Sequence, residues 1–212
     1  MSNKRTPLFN HHQKCGAKIV DFAGWEMPIQ YTGILAEHKS VREKVGLFDV
    51  SHMGQIFVTG PETVEFLSYV TTWDMQRQKI GDCRYCHVLD DDGHIIDDTI
   101  VYTLSKEKYM LIPNASKVSE IYDWFILNSK RFEVSIDNSS DDYFCLALQG
   151  PQAPRLLGQH LNVSVGSFQL VTIGDTIVSG TGYTGEKGCE IIGPLKEVVD
   201  HWEALVEMGA EP

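Results

Sequence analysis

No stretch of this chain is apolar for long enough to span a bilayer, which takes about 20 residues. The opening Met1-Ser2-Asn3-Lys4-Arg5-Thr6-Pro7 has no apolar core of a secretory signal and no Arg-rich amphipathic character of a transit peptide. The expectation is a protein that stays where it is made, in the cytoplasm. Positive charge is scarce: 18 Lys and Arg stand against 29 Asp and Glu, a net charge of -11. Phosphate binding needs a basic footprint, so nucleic acid and anionic membrane surfaces are excluded as partners. A small molecule, or a protein with a basic patch, stays open. Cysteine is sparse, with Cys15, Cys83, Cys86, Cys145 and Cys189 scattered along the chain. An odd number without an export signal reads as free thiols in a reducing compartment. Cys83-Arg84-Tyr85-Cys86-His87 has the spacing of a haem attachment site. Haem attachment goes with export, a redox pair with a βαβ pattern, and zinc with further ligands, none of which is visible. No metal is assigned.

What is present is an ordinary globular composition, 42% hydrophobic and 22% charged, enough to bury a core. Its most informative feature is the pair of aspartates in Gly93-His94-Ile95-Ile96-Asp97-Asp98-Thr99-Ile100-Val101-Tyr102. Strand side chains alternate faces, so Asp98 shares one with Ile96, Ile100 and Tyr102, and Asp97 shares the other with Ile95, Thr99 and Val101. A carboxylate on an apolar face is paired, neutralised or used. The plain alternative for Asp98 is a loop cap or an ion pair with an Arg. Asp90-Asp91-Asp92-Gly93 reads as the hairpin turn ahead of the pair.

Periodicity places a helix from Thr32 to Val45, with Ile34, Leu35, Val41 and Val45 on one side. Phe48 to Val58 reads as extended, and Gly60-Pro61 opens a helix carrying Val64, Leu67 and Val70. A strand follows at Tyr109 to Ile112, then a helix capped by Ser116 with Val118, Ile121, Tyr122 and Phe125. Phe132 to Ile136 is a short strand. The second part repeats the plan. Cys145 to Pro151 parallels Ile56 to Pro61, Asp175-Thr176-Ile177-Val178 parallels Asp98-Thr99-Ile100-Val101, and Trp202 parallels Trp124 in a later helix. Strands joined by hairpins with helices between them give an α+β class with antiparallel sheets and packed helices. The last helix, Leu195 to Glu207, exits through Gly209 and Pro212 as if into something further.

Four stretches in order resemble the aminomethyltransferase, or T-protein, family of the glycine cleavage system. They are Asp21 to Pro28, Phe48 to Gly54, Ile96 to Tyr102 and Gly182 to Glu190, with Leu148 to Pro151 between the last two. The resemblance covers Thr6 to Pro212 and matches the family's N-terminal folate-binding portion, without its C-terminal domain. It implies a folate-binding fold with a discontinuous first domain, about 1–52 plus 140–212, around an inserted sheet domain, 53–139. It implies tetrahydrofolate as the one-carbon acceptor and lipoylated H-protein as the donor. The reaction releases ammonia and forms methylenetetrahydrofolate. Asp98 then stands beside the folate amines as the catalytic carboxylate, suited to handling protons and orienting the nucleophile. Glu190 accepts from the pterin's amino edge, since a carboxylate takes two N–H donors in a fork. Tyr183, Tyr85 and Met53 line the ring, and Asn114 lies near the folate. Gly182, Gly185 and Gly188 turn the chain around Tyr183 and Glu190.

Each position also has a plain reading. Tyr183 could simply pack in a hairpin turn, Met53 and Trp25 read as core, His52 and Asp97 as structural, and Asp175 as a loop residue. His94, Ser116-Lys117 and Cys189 depart from the family's usual residues. Two alternatives stay open. One is a related folate-dependent demethylase, or the folate domain of a sarcosine or dimethylglycine dehydrogenase. The other is a non-catalytic folate-binding protein of the iron–sulfur assembly type, whose Lys-Gly-Cys-Tyr-like motif Lys187-Gly188-Cys189 matches in part.

Overall fold

Two corners built alike, Gly60-Pro61 and Gly150-Pro151, organise the chain. Gly60 has φ +133° and Gly150 φ +130°. A Cβ at Gly60 would lie 2.3 Å from the Glu133 carbonyl oxygen, and one at Gly150 would lie 2.6 Å from that of Lys44. Only glycine fits such a corner. Each corner ends a strand and starts a helix.

The computed structural model describes residues 3–212; Met1 and Ser2, which begin the N-terminal stretch read above for a leader, lie outside them. The elements are β1 (Lys4–Arg5), α1 (Phe9–Lys14), β2 (Lys18–Phe22), β3 (Trp25–Gln30), α2 (Ile34–Glu43), β4 (Gly46–Asp49), β5 (Ile56–Thr59) and α3 (Thr63–Val70). Then come β6 (Cys83–Leu89), β7 (Ile95–Ser105), β8 (Lys108–Leu111), α4 (Val118–Ser129), β9 (Ser135–Asn138), β10 (Tyr143–Gln149) and α5 (Ala153–Leu161). The chain closes with β11 (Leu170–Ile173), β12 (Thr176–Ser179), β13 (Gly188–Pro194) and α6 (Val198–Glu207). The chain divides into two units. One holds the residues up to His52, then Asp142–Ser167 and Val171–Pro212; the other holds Met53–Asp141 and Phe168–Leu170.

Each unit carries a five-stranded sheet. In the discontinuous unit the order is β11-β12-β13-β10-β4, and in the inserted unit β6-β7-β8-β5-β9. Matched by chain order after each glycine corner, β10 to β13 correspond to β5 to β8, and the spatial order is the same. The fifth strand differs in origin: β9 follows its unit's second helix, whereas β4 precedes the corner. The duplication read from short sequence matches is therefore a duplication of topology. A three-stranded sheet, β1-β3-β2, completes the discontinuous unit.

Each unit buries its own core. Leu47, Phe144, Leu146, Leu148, Leu156, Ile191 and Trp202 belong to one, and Ile56, Phe66, Leu67, Val101, Leu111, Ile121 and Phe125 to the other. Full burial of such side chains contributes about 1.5–3 kcal/mol each. Phe66 packs edge-on against Phe125 at 5.4 Å and Phe132 at 5.6 Å.

Several boundaries differ from the sequence reading. The extended run from Phe48 to Val58 is broken between β4 and β5, where Asp49 Oδ1 accepts from the Ser51 amide at 3.0 Å and turns the chain. α2 begins at Ile34, because Glu37 Oε1 gathers the amides of Tyr31, Thr32 and Gly33 at 2.7–2.8 Å. Val41 is buried, but Ile34 and Leu35 are 62% and 86% exposed, and Val45 lies past the helix end. Ser116 does not cap α4; Lys117 holds that position and no side chain bonds to it. β9 starts three residues later than expected, because Phe132 packs on Phe66 instead of joining the sheet. Trp25 is half-buried on β3 beneath the Lys4 ammonium, 5.3 Å away, and is not core.

Candidate functional site

In the inserted unit the acidic turn sets the register of the β6–β7 hairpin. Asp90 Oδ1 accepts from the amides of Asp92 at 3.0 Å and His94 at 2.8 Å. The amide of His94 is the leading influence holding the Asp90 carboxyl below the usual range. The resulting register pairs His87 with Asp98 and Tyr85 with Ile100. Tyr85 and Asp98 are thus diagonal neighbours on one face, within reach for a long side chain. The Tyr85 hydroxyl donates to Asp98, and that bond is the main reason its pKa is raised.

Asp97, on the opposite face, is the more buried of the two, 7% exposed. Its Oδ2 accepts from the Asn114 amide at 2.9 Å and its Oδ1 from Asn114 Nδ2 at 2.8 Å. The same Nδ2 reaches Asp98 Oδ1 at 3.2 Å and the Asp98 carbonyl oxygen at 3.4 Å. Asp98 is half-buried, and Tyr85 remains 42% exposed. Asp98, Tyr85 and Asn114, read as candidates from sequence, therefore form one cluster, with Tyr85 and Asn114 in place of the Arg considered as a partner. Met53 is half-buried and accepts from Gln55 Nε2 through its carbonyl at 3.0 Å. Asp97 was read as merely structural. Its grip on Asn114 was missed because it depends on β8 bringing Pro113-Asn114 alongside β7, a register no local pattern announces.

Glu190 and Tyr183 belong to the discontinuous unit. Glu190 sits on β13 between Ala147 of β10 and Ser179 of β12, and is 7% exposed. The Thr181 hydroxyl donates to Glu190 Oε2 and bonds to the Ser179 hydroxyl at 2.6 Å. The Thr181 hydroxyl, just past the end of β12, thus steadies one oxygen of this carboxylate. The glycines beside it pack on Gln149. A Cβ at Gly182 would fall 2.3 Å from Gln149 Oε1, and one at Gly188 2.5 Å from Gln149 Nε2. Gln149 Nε2 in turn donates to the carbonyls of Thr181 and Cys189 at 3.1 and 3.2 Å. Close approach to Gln149 explains Gly182 and Gly188 more directly than tight turning does. Cys189 is buried, and burial first and the Glu190 charge second push its thiol up to about 12. A thiol held protonated is a poor nucleophile, which removes the motif favouring the iron–sulfur assembly reading.

The same unit contains a cavity of about 610 Å³. Phe22, Met27, Ile29, Phe48 and Val50 supply apolar wall, and Tyr183, Thr184 and His52 supply polar edges. Tyr183 is 67% exposed there, and is not packed away. His52 packs edge-on against Phe22 at 5.7 Å, and burial outweighs the Asp49 charge to lower its pKa. Beneath it lies a buried network that sequence reading missed. His12 Nε2 meets Asp49 Oδ2 at 2.8 Å, and the Tyr31 hydroxyl meets His12 Nδ1 at 2.9 Å.

Residues 8–212 match the model of the GCVT N-terminal domain. The chain belongs to that family. An aminomethyltransferase of Halothermothrix orenii is 42% identical over 98% of this chain and 60% of its own length. One from Chloroherpeton thalassium is 43% identical over 97% of this chain and 59% of its own. The chain thus spans about three-fifths of the curated relatives it matches. The crystal structure of glycine cleavage system aminomethyltransferase T from Bartonella henselae superposes with a TM-score of 0.92, at 38% identity, covering 97% of this chain and 57% of that one. The family fold is therefore the α+β fold expected. A heterotetrameric sarcosine oxidase from Corynebacterium sp. U-96 shares the fold at a TM-score of 0.54 and 15% identity. Among the described residues no helix is long and apolar enough to cross a membrane.

Proposed function

We propose that this chain provides the folate-binding part of a glycine cleavage aminomethyltransferase. It would take the aminomethyl group from lipoylated H-protein, pass its carbon to tetrahydrofolate and release ammonia. The observation that carries this reading is the Asp98 cluster at the family-like motif. Asp98 holds a hydroxyl donor from Tyr85 and an amide donor from Asn114 and keeps acceptor capacity on a half-buried carboxylate. Attack on the aminomethyl carbon needs an unprotonated folate amine, and departure of ammonia needs a protonated nitrogen. A fixed carboxylate beside those nitrogens orients the one and shuttles a proton to the other. Glu190 is assigned to the pterin's amino edge, where two N–H donors match its two oxygens. Tyr183, Tyr85 and Met53 are assigned to the ring and Asn114 to the folate's vicinity. The chain's acidity favours an H-protein that presents a basic patch.

Ammonia release from aminomethyl-loaded H-protein, followed with tetrahydrofolate present, tests the assignment in the complete natural protein. Asp98→Asn should lower kcat by about 10²-fold or more while leaving folate affinity within about threefold. Glu190→Gln should do the reverse, weakening folate binding by about tenfold in calorimetric titration. Full activity in Asp98→Asn would sink the catalytic assignment.

A further inference from the structure

We infer that Asp97 is a positioning residue of the reaction and that it acts through Asn114. This rests on the reading of Asp98 as the reacting carboxylate. A buried carboxylate is costly unless donors surround it. Among the described residues, Asp97 takes both its hydrogen bonds from one residue: the Asn114 backbone amide on Oδ2 and its side-chain Nδ2 on Oδ1. Two bonds to two parts of the same residue fix both its place and its side-chain torsions.

The chemistry of the partner fixes more. An asparagine amide is nearly symmetric in shape, and its neighbours decide which end faces them. An ionised carboxylate only accepts. Asp97 therefore requires the NH2 end of Asn114 to face it. The second hydrogen of that NH2 is the one available to Asp98 Oδ1 at 3.2 Å and to the Asp98 carbonyl oxygen at 3.4 Å. Asp98 is thereby held between Asn114 and the Tyr85 hydroxyl. The same orientation turns Asn114 Oδ1 away from both carboxylates. Among the described residues no hydrogen bond to Oδ1 is formed within the chain. That oxygen is an acceptor for a ligand N–H, and Asp97 selects it over an outward-facing NH2. The face presented to ligand thus carries acceptors suited to a ring or chain amine.

A double-mutant cycle in the complete natural protein distinguishes this from plain structural support. Asp97→Asn should lower kcat by about 10- to 100-fold, the loss attending a misplaced charge-assisted contact, with KM for tetrahydrofolate within about threefold. Asn114→Ala should lower kcat comparably. In the Asn114→Ala background, adding Asp97→Asn should cost less than about twofold, because the link is already gone. Equal losses in both backgrounds, or full activity in Asp97→Asn, would overturn the inference. Asp98→Asn in the same series separates the failures: if it stays active, the reading of Asp98 fails, whereas additive losses with Asp98→Asn inactive sink only the role of Asp97. Should Asp97→Asn not fold, the unmodified protein decides through ¹⁵N-asparagine NMR. Two resolved, slowly exchanging Asn114 amide protons support the lock, and an averaged, rapidly exchanging pair contradicts it.

Discussion

Asp49 has no side-chain exposure, yet two donors keep it ionised. Burial alone would raise its pKa, but hydrogen bonds from His12 and Ser51 outweigh burial and hold it below the usual range. His12 Nε2 faces Asp49 and Nδ1 faces the Tyr31 hydroxyl, so neither nitrogen is stranded. The Tyr31 hydroxyl is held protonated mainly by burial, with the Asp49 charge adding to it. Hydrogen bonds to a buried charged group contribute about 1.5–3 kcal/mol, and Asp49→Asn should destabilise the protein by about 2–3 kcal/mol at pH 7. The folded pKa is depressed, so the contribution is full above the unfolded value of about 3.9 and is lost as pH falls through the lower folded value. The gap between the melting curves of the two proteins should narrow as pH falls from about 4.5 to about 3. A constant gap would refute the linkage. These residues show how far a site is legible in sequence. Asp98, Tyr85 and Asn114 lie in motifs that carry a resemblance. Asp49, Asp97 and Gln149 act through partners 37, 17 and 32 residues away, which local pattern does not reveal.

At the scale of elements, α5 and α6 meet through two histidines. His160 Nε2 lies 2.7 Å from His201 Nδ1, which requires one ring to accept from the other. Burial first, then the charge of His201, lowers the pKa of His160. Burial also lowers that of His201, against the nearby carboxylates of Glu197 and Asp200. Both folded values lie below the unfolded value of about 6.5, so the unfolded chain takes up protons first as pH falls. Stability tied to this contact is complete above that value and drains away below it. Replacing His201 with Phe should make the loss of melting temperature between pH 7.5 and pH 5.5 shallower. An unchanged slope would remove the pair from the account. Elements themselves were largely legible where periodicity and a glycine corner agreed, as at α3. They were misread where a side chain intervened: Glu37 gathering amides ahead of α2, or Phe132 leaving the sheet for Phe66. Gly150→Ala tests the corner argument. The added Cβ would meet two backbone oxygens within 2.7 Å at a positive φ. Loss of about 2–4 kcal/mol should follow in denaturant melts, and a neutral result would show that the corner relaxes.

For the molecule as a whole, the duplicated topology is threaded unequally. The discontinuous unit completes its sheet by pairing β4 with β10, across the whole inserted unit in sequence. Its nucleus must close a long loop before those contacts form, which slows folding. The inserted unit draws all five strands and both helices from Met53–Asp141, with Phe168–Leu170 its only distant part. Those three residues add bonds at the start of β6: Cys83 donates to the Phe168 carbonyl at 2.8 Å and Leu170 to that of Gly81 at 2.7 Å. Leu170 is buried, but none of the three belongs to the cluster around Ile56, Phe66, Ile121 and Phe125. The core therefore exists without them, and two edge hydrogen bonds contribute about 1 kcal/mol each. Residues 53–141 expressed alone should fold cooperatively, with a single urea transition coincident by far-ultraviolet circular dichroism and tryptophan fluorescence. Phe66→Ala should abolish that transition or lower its midpoint sharply, since deleting a buried Phe costs about 3–5 kcal/mol. A broad, probe-dependent transition in the unsubstituted fragment would mean that the strand after Ser167 is required for the sheet it borders, and that the two halves of the duplication are not equivalent as folding units.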